Sequence, residues 1–120
     1  MKKVQEYAHR DIDLPYQKIY YLAHPYSSNP AMNVLESIDK TNKLLDKGYI
    51  VFNPLTHSHF LDAYKKRTSK FWYEYDLKIL EMCDGIILSG DWKNSKGCLL
   101  EKEFAEKKRM EILFYEELIE

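Results

Sequence analysis

The sequence predicts an α/β domain, a three-layer sandwich with a parallel sheet of four or five strands between helices. Three observations predict it. Short apolar and aromatic runs at residues 18–23, 49–52, 86–88 and 110–115 read as strands. Between them, apolar residues recur at three- and four-residue spacing, the period of helices packed on one side. The length of 120 residues suits one hydrophobic core, which at this size buries roughly two-thirds of the unfolded surface.

Residues 1–16 are polar, with Asp11, Asp13 and Pro15 near their end, and read as an N-terminal arm; residues 17–120 form the domain. Lys18-Ile19-Tyr20-Tyr21-Leu22-Ala23 is a β-branched and aromatic strand, ended by His24-Pro25 because proline gives no donor to a ladder and restrains the residue before it. Asn29 as N-cap and Pro30 at the first helical position open a helix whose inward stripe reads as Ala31, Val34, Leu35, Ile38, Thr41, Asn42 and Leu45. Gly48 ends it in the left-handed conformation that closes many helices. Tyr49–Phe52 is apolar on both faces, as a strand covered on each side should be. Residues 55–68 read as a long connection with a helical turn near 60–64.

Thr68 or Ser69 caps a helix to about Cys83, with Trp72, Tyr75, Ile79 and Cys83 on its inner face. Asp84-Gly85 turns into the strand Ile86–Leu88, Ser95 caps a helix to about Lys108, and 110–115 is the last strand. Strands alternating with helices imply a parallel sheet in the manner of flavodoxin-like and Rossmann-like folds. Ligands bind such sheets at the carboxyl ends of the strands, near a switch in strand order, which directs attention to residues 23–30, 53–59 and 89–97.

Composition narrows the function classes. Eighteen Lys+Arg against nineteen Asp+Glu give a formal net charge of -1, which argues against a nucleic-acid polymer as partner because phosphates call for a basic excess. No apolar run approaches a membrane span, no secretory leader is visible, and Cys83 and Cys98 read as buried free thiols. A cytoplasmic location without membrane association is the expectation. Aromatic residues reach 14%, ten of them Tyr, and this excess asks for a use.

The polar residues of the predicted rim fall into three groups. Ser95 and Gly97 open a helix whose free N–H groups can hold an anion, and Glu101 lies just over one turn further, between the small residues Gly97 and Ala105. On pattern alone Glu101 reads more readily as one more glutamate of a charged helix. Asp76 lies within an apolar stripe, where an aspartate must be paired, hydrogen-bonded or at a cavity edge. His24, Tyr26, Ser27 and Ser28 follow the first strand. His57 and His59 reach the same rim, yet no third ligand has recognisable spacing, so no metal and no cofactor is expected.

Four blocks in order carry a resemblance: Tyr21-Leu22-Ala23-His24-Pro25-Tyr26-Ser27; Gly48-Tyr49-Ile50-Val51-Phe52-Asn53-Pro54 with His57-Ser58-His59; Trp72 to Asp76; and Asp91-Trp92 to Glu101. Over residues 18–115 the chain resembles the nucleoside 2-deoxyribosyltransferase-like superfamily, which includes deoxyribosyltransferases and 2′-deoxynucleoside 5′-monophosphate N-glycosidases. The resemblance implies Glu101 as nucleophile, Tyr20 on the first strand as the tyrosine that orients it (with Tyr21 adjacent), and Asp76 as the residue that contacts or protonates the base, followed eight residues later by Asp84. It implies Ser95 at the glycosidases' phosphate-binding position. Their first-loop Arg has no counterpart in residues 19–35, which leaves that role to His24, Ser27 or Ser28.

The implied activity is cleavage of a nucleoside or nucleotide N-glycosidic bond, or deoxyribosyl transfer. The alternative is a non-catalytic module that senses or sequesters a nucleotide. Flat walls for a base are expected from Tyr26, Trp72 or Trp92, with Tyr49 and Tyr75 in the core. By the same analogy a homodimer or larger homo-oligomer is expected, with Tyr7, Tyr16, Tyr64, Tyr73 and Tyr115 as the first residues to place at its interface.

Overall fold

The computed structural model describes residues 17–120; the expected arm, with Tyr7 and Tyr16, lies outside the described residues. The elements are β1 (Ile19–Ala23), α1 (Pro30–Asp46), β2 (Ile50–Phe52), α2 (Pro54–Tyr64), α3 (Ser69–Glu81), β3 (Gly85–Leu88), a 3₁₀ turn (Trp92–Asn94), α4 (Lys96–Lys107), β4 (Glu111–Phe114) and α5 (Tyr115–Ile119). The sheet is all parallel in the order β2-β1-β3-β4, with Tyr21 beside Phe52 on one side and Ile86 on the other. It is the three-layer α/β sandwich that the alternating pattern predicts.

Because side chains alternate along a strand, β1 feeds two cores. Tyr21 and Ala23 pack with Ile86, Leu88, Leu80 of α3 and Cys98 and Ala105 of α4. Tyr20 and Leu22 pack with Ile87, Leu44 of α1 and Tyr115 of α5. The chain leaves β1 for α1 on one face and β3 for α4 on the other. A crevice therefore opens at the carboxyl ends of these two neighbouring strands.

The caps are as the sequence predicts: Asn29, Thr68 and Ser95 each accept a backbone N–H of the following turn, and Gly48, at φ 97, closes α1. Three expectations are corrected. Residues 54–64 are a full helix, because the Asn53 side chain accepts from Leu55 N and Thr56 N and Pro54 occupies its first turn. The inward stripe of α1 is Asn33, Val34, Ser37 and Leu44, while Leu35, Ile38 and Leu45 stay exposed. A polar tie rotates that helix: Asn53 Nδ2 donates to Ser37 Oγ and Thr41 Oγ1, both at 3.0 Å. Tyr115 is a core residue and Tyr75 is exposed, the reverse of their expected places, because the short α5 folds Tyr115 back under α1. Among the described residues no helix is long and apolar enough to cross a membrane.

Candidate active site

Ser95 fixes the start of α4 by accepting from Cys98 N at 3.2 Å, and Cys98 and Ala105 anchor that helix in the core. Glu101 lies on the same inward side, half-buried over the sheet. The Tyr21 hydroxyl donates to Glu101 Oε2 at 2.5 Å. Asp76 approaches from α3, with Oδ1 buried and without a protein partner. One turn earlier on α3, burial raises the Tyr73 phenol, and the Glu101 charge is near enough to add to the rise. Gly97 leaves its surface open: a Cβ there would meet no protein atom within 4 Å.

The electrostatics of the two carboxyls are alike. Burial pushes Asp76 up to about 7. Burial pushes Glu101 up to about 8, with the Asp76 charge adding to the rise and the Tyr21 hydrogen bond opposing it. Burial also pushes the neighbouring Cys98 thiol up to about 12, so it stays protonated and unreactive. Two carboxyls that retain protons into the neutral range can act as acid, base or nucleophile at physiological pH.

Five of the residues singled out from the sequence do not take the places expected of them. Tyr20 does not orient Glu101: its ring points to the opposite face and its hydroxyl donates to Glu111 Oε1 at 2.8 Å. The one-residue difference follows from strand alternation, which sends Tyr21 to the α4 side and Tyr20 away from it. His24 is not a surface contact; its side chain is 1% exposed. The Trp72 indole is turned toward α2, where Nε1 donates to Asp62 Oδ1 at 2.8 Å. Trp92 packs on Phe114 at a centroid distance of 5.8 Å. Asp84 sits at the amino end of the central strands, away from the crevice, accepting from Ile19 N.

The remaining candidates do line the rim loops. Tyr26 bonds His59 Nδ1 at 2.7 Å, Ser27 is exposed, and Ser28 accepts from Asn33. His57 stacks on Tyr75 and bonds its hydroxyl, so the two histidines engage different partners and do not converge. Among the described residues no group of three or more His, Cys, Asp or Glu is placed to hold a metal. Aromatic rings that sequence reasoning missed connect the site to α2: Tyr21 lies 6.3 Å from Phe52, and Phe52 lies 5.9 Å from His57. An open groove of about 460 Å³ runs along the other side of α4, past Lys96, Leu99 and Glu103, and shares no residue with the Tyr21–Glu101–Asp76 group.

Residues 18–114 match the model of a family described as a domain of unknown function, DUF4406. The chain belongs to the DUF4406 family. The match runs from the start of β1 to the end of β4, so all three residues of the carboxyl group above lie within the DUF4406 domain. No curated protein matches the chain.

Proposed function

We propose that this DUF4406 domain cleaves the N-glycosidic bond of a nucleoside or nucleotide, or transfers its deoxyribosyl group, with Glu101 as nucleophile. The observation that carries the reading is the Tyr21–Glu101 hydrogen bond beside a second buried carboxyl, Asp76, whose Oδ1 has no protein partner. Loss of a base from a sugar passes through an oxocarbenium-like state, and a carboxylate against the anomeric carbon stabilises that charge. Glu101 attacks the anomeric carbon as the bond to the base nitrogen breaks. The proton of Asp76 goes to the departing base. Asp76, now a carboxylate, takes a proton from water, which attacks the same carbon and frees Glu101. A second base in place of water gives transfer.

Tyr21 favours the ionised form of Glu101 that attack requires. Phe52 and the His57–Tyr75 stack supply flat surfaces nearby for a base. The resemblance in four ordered sequence blocks supports the substrate class.

One observation favours a second reading, binding without cleavage: burial holds both carboxyls toward their neutral forms, which suits hydrogen bonding to an intact ligand. Incubation with a panel of deoxynucleosides and their 5′-monophosphates, followed by chromatography, separates the two. Free base released by the wild type and not by Glu101→Ala supports cleavage. Thermal stabilisation with the ligand recovered intact supports binding alone. Neither result across the panel removes both.

A further inference from the structure

The crevice is bounded by two rim loops, residues 24–29 after β1 and 89–95 after β3. They are joined at their bases, where Ser89 N and Ser89 Oγ both donate to Ala23 O at 3.0 Å. Above that tie sits His24, with only 6% of its surface exposed. Its Nδ1 lies 2.9 Å from Pro25 O. A carbonyl only accepts, so Nδ1 carries the hydrogen and Nε2 is left with a bare lone pair. That nitrogen is buried and has no partner.

The other loop closes over the ring. Gly90 takes φ +62, and a Cβ there would come within 3.1 Å of His24 Nε2 and 3.3 Å of Pro25 Cδ. Glycine is required twice at this position, by the left-handed backbone and by the imidazole beneath it. The charged groups facing the ring are both on α1. Glu36 Oε1 is 3.6 Å from Nε2, on a side chain 52% exposed, and Lys40 opposes it from the next turn. The rim loops meet the ring with Pro25 and Gly90, neither of which titrates.

We propose that His24 is an acid-sensitive pin: neutral, it holds the 24–29 and 89–95 loops together, and protonated, it releases them. A proton on Nε2 would place a charge in a dry space with no acceptor within hydrogen-bond distance. The nearest carboxylate, Glu36 Oε1 at 3.6 Å, lies on α1 and on neither loop, so a protonated ring pairs with α1 rather than with the loops. Burial accordingly holds the imidazole below its ordinary value, against the pull of Glu36. The linkage has one sign: the folded state refuses a proton that the unfolded chain accepts, so stability falls as pH drops through the unfolded value of about 6.5. The 89–95 loop leads directly into Ser95 and α4, so opening it disturbs the helix that carries Glu101. The pin does not depend on which reaction, if any, the crevice performs.

Hydrogen exchange of the whole protein, compared at about pH 7.5 and about pH 5.5 after correction for intrinsic rates, reads the opening directly. In the wild type, peptides covering both loops should lose protection by about tenfold on acidification, and His24→Phe, which keeps a ring without a titratable nitrogen, should lose none. Glu36→Gln should move the transition to lower pH. Should His24→Phe fail to fold, imidazole NMR of the wild type decides: His24 must titrate below the ordinary imidazole value of about 6.5, in step with the Gly90 amide. Equal loss of protection in wild type and His24→Phe overturns the proposal. So does a His24 titration that leaves Gly90 unmoved, or a ring that stays neutral while the loops open.

Discussion

Two tyrosine–glutamate pairs stand back to back on β1. Tyr20 donates to Glu111 at 2.8 Å on one face, and Tyr21 donates to Glu101 at 2.5 Å on the other. Tyr20 reaches two strands across because Gly85 lies between; a Cβ there would come within 2.9 Å of the Tyr20 ring. The same residue types then behave oppositely. Glu111 is exposed, with Lys18 Nζ at 3.4 Å, and its carboxyl is held below the ordinary range, by Tyr20 first and Lys18 after. Glu101 has the same kind of donor, yet burial and the Asp76 charge carry it up to about 8. A hydroxyl donor alone does not set a carboxyl's chemistry. Access to water and the sign of the nearest charge decide whether the pair is a surface tie or a reactive group.

The largest expected effect breaks the symmetry outright. On the proposed mechanism, Glu101→Gln should lower base release by about a thousandfold or more, since an amide cannot form the glycosyl ester and Asp76 is held to the acid role. Glu111→Gln should leave kcat/KM within about twofold, because its side chain bonds Tyr20 on the opposite face of the sheet. Chromatographic assay of both variants checks the contrast, and equal losses would dissolve it.

The tyrosines should differ next. Tyr21→Phe removes a hydrogen bond to a charged group, worth about 1.5–3 kcal/mol, and should slow the reaction about 10- to 100-fold. The wild-type rate should be bell-shaped in pH, with limbs near the about 7 of Asp76 and the about 8 of Glu101. One carboxyl must be protonated and the other ionised, and the bell is the same whichever holds the proton. Tyr21→Phe should move one limb to higher pH, because the donor that favours the Glu101 anion is gone. Tyr20→Phe should leave the bell in place and lower stability by about 1 kcal/mol, read by denaturant melts.

How far the sequence foretells this differs between the layers. Strands, caps and the parallel order are legible because alternation, N-cap residues and Gly48 are local signals. The α1 face is not, since its inward side is built from Asn33, Ser37 and Thr41, held by Asn53 from beyond β2. Apolar periodicity is blind to a helix packed on polar residues. Likewise, spacing sets Asp76 within an apolar stripe and Glu101 one step from the sheet-facing residues of its helix, but only the fold shows which face of β1 that helix covers, and so distinguishes Tyr21 from Tyr20. The Trp72 and Trp92 rings are flat and apolar enough for a base wall, yet Asp62 and Phe114 hold them, and neither contact has a sequence signature.

The smallest expected effect sharpens the comparison through stability. Glu101 is raised from 4.5 to about 8 in the fold, so the folded state keeps a proton that the unfolded chain releases. Its contribution is complete in acid and is lost as pH rises from about 4.5 through about 8. Glu101→Gln removes that loss. Its Tm should exceed the wild type's by about 5 °C or more near pH 8.5, and the gain should vanish near pH 4. Glu111 is lowered instead, so its contribution is present above the unfolded value and fades in acid. Glu111→Gln should therefore lower Tm slightly at neutral pH, and less so in high salt, because Lys18 and Glu111 are both exposed. Opposite signs of the two Tm shifts at pH 8.5 would show that burial, and not the tyrosine, separates the pairs.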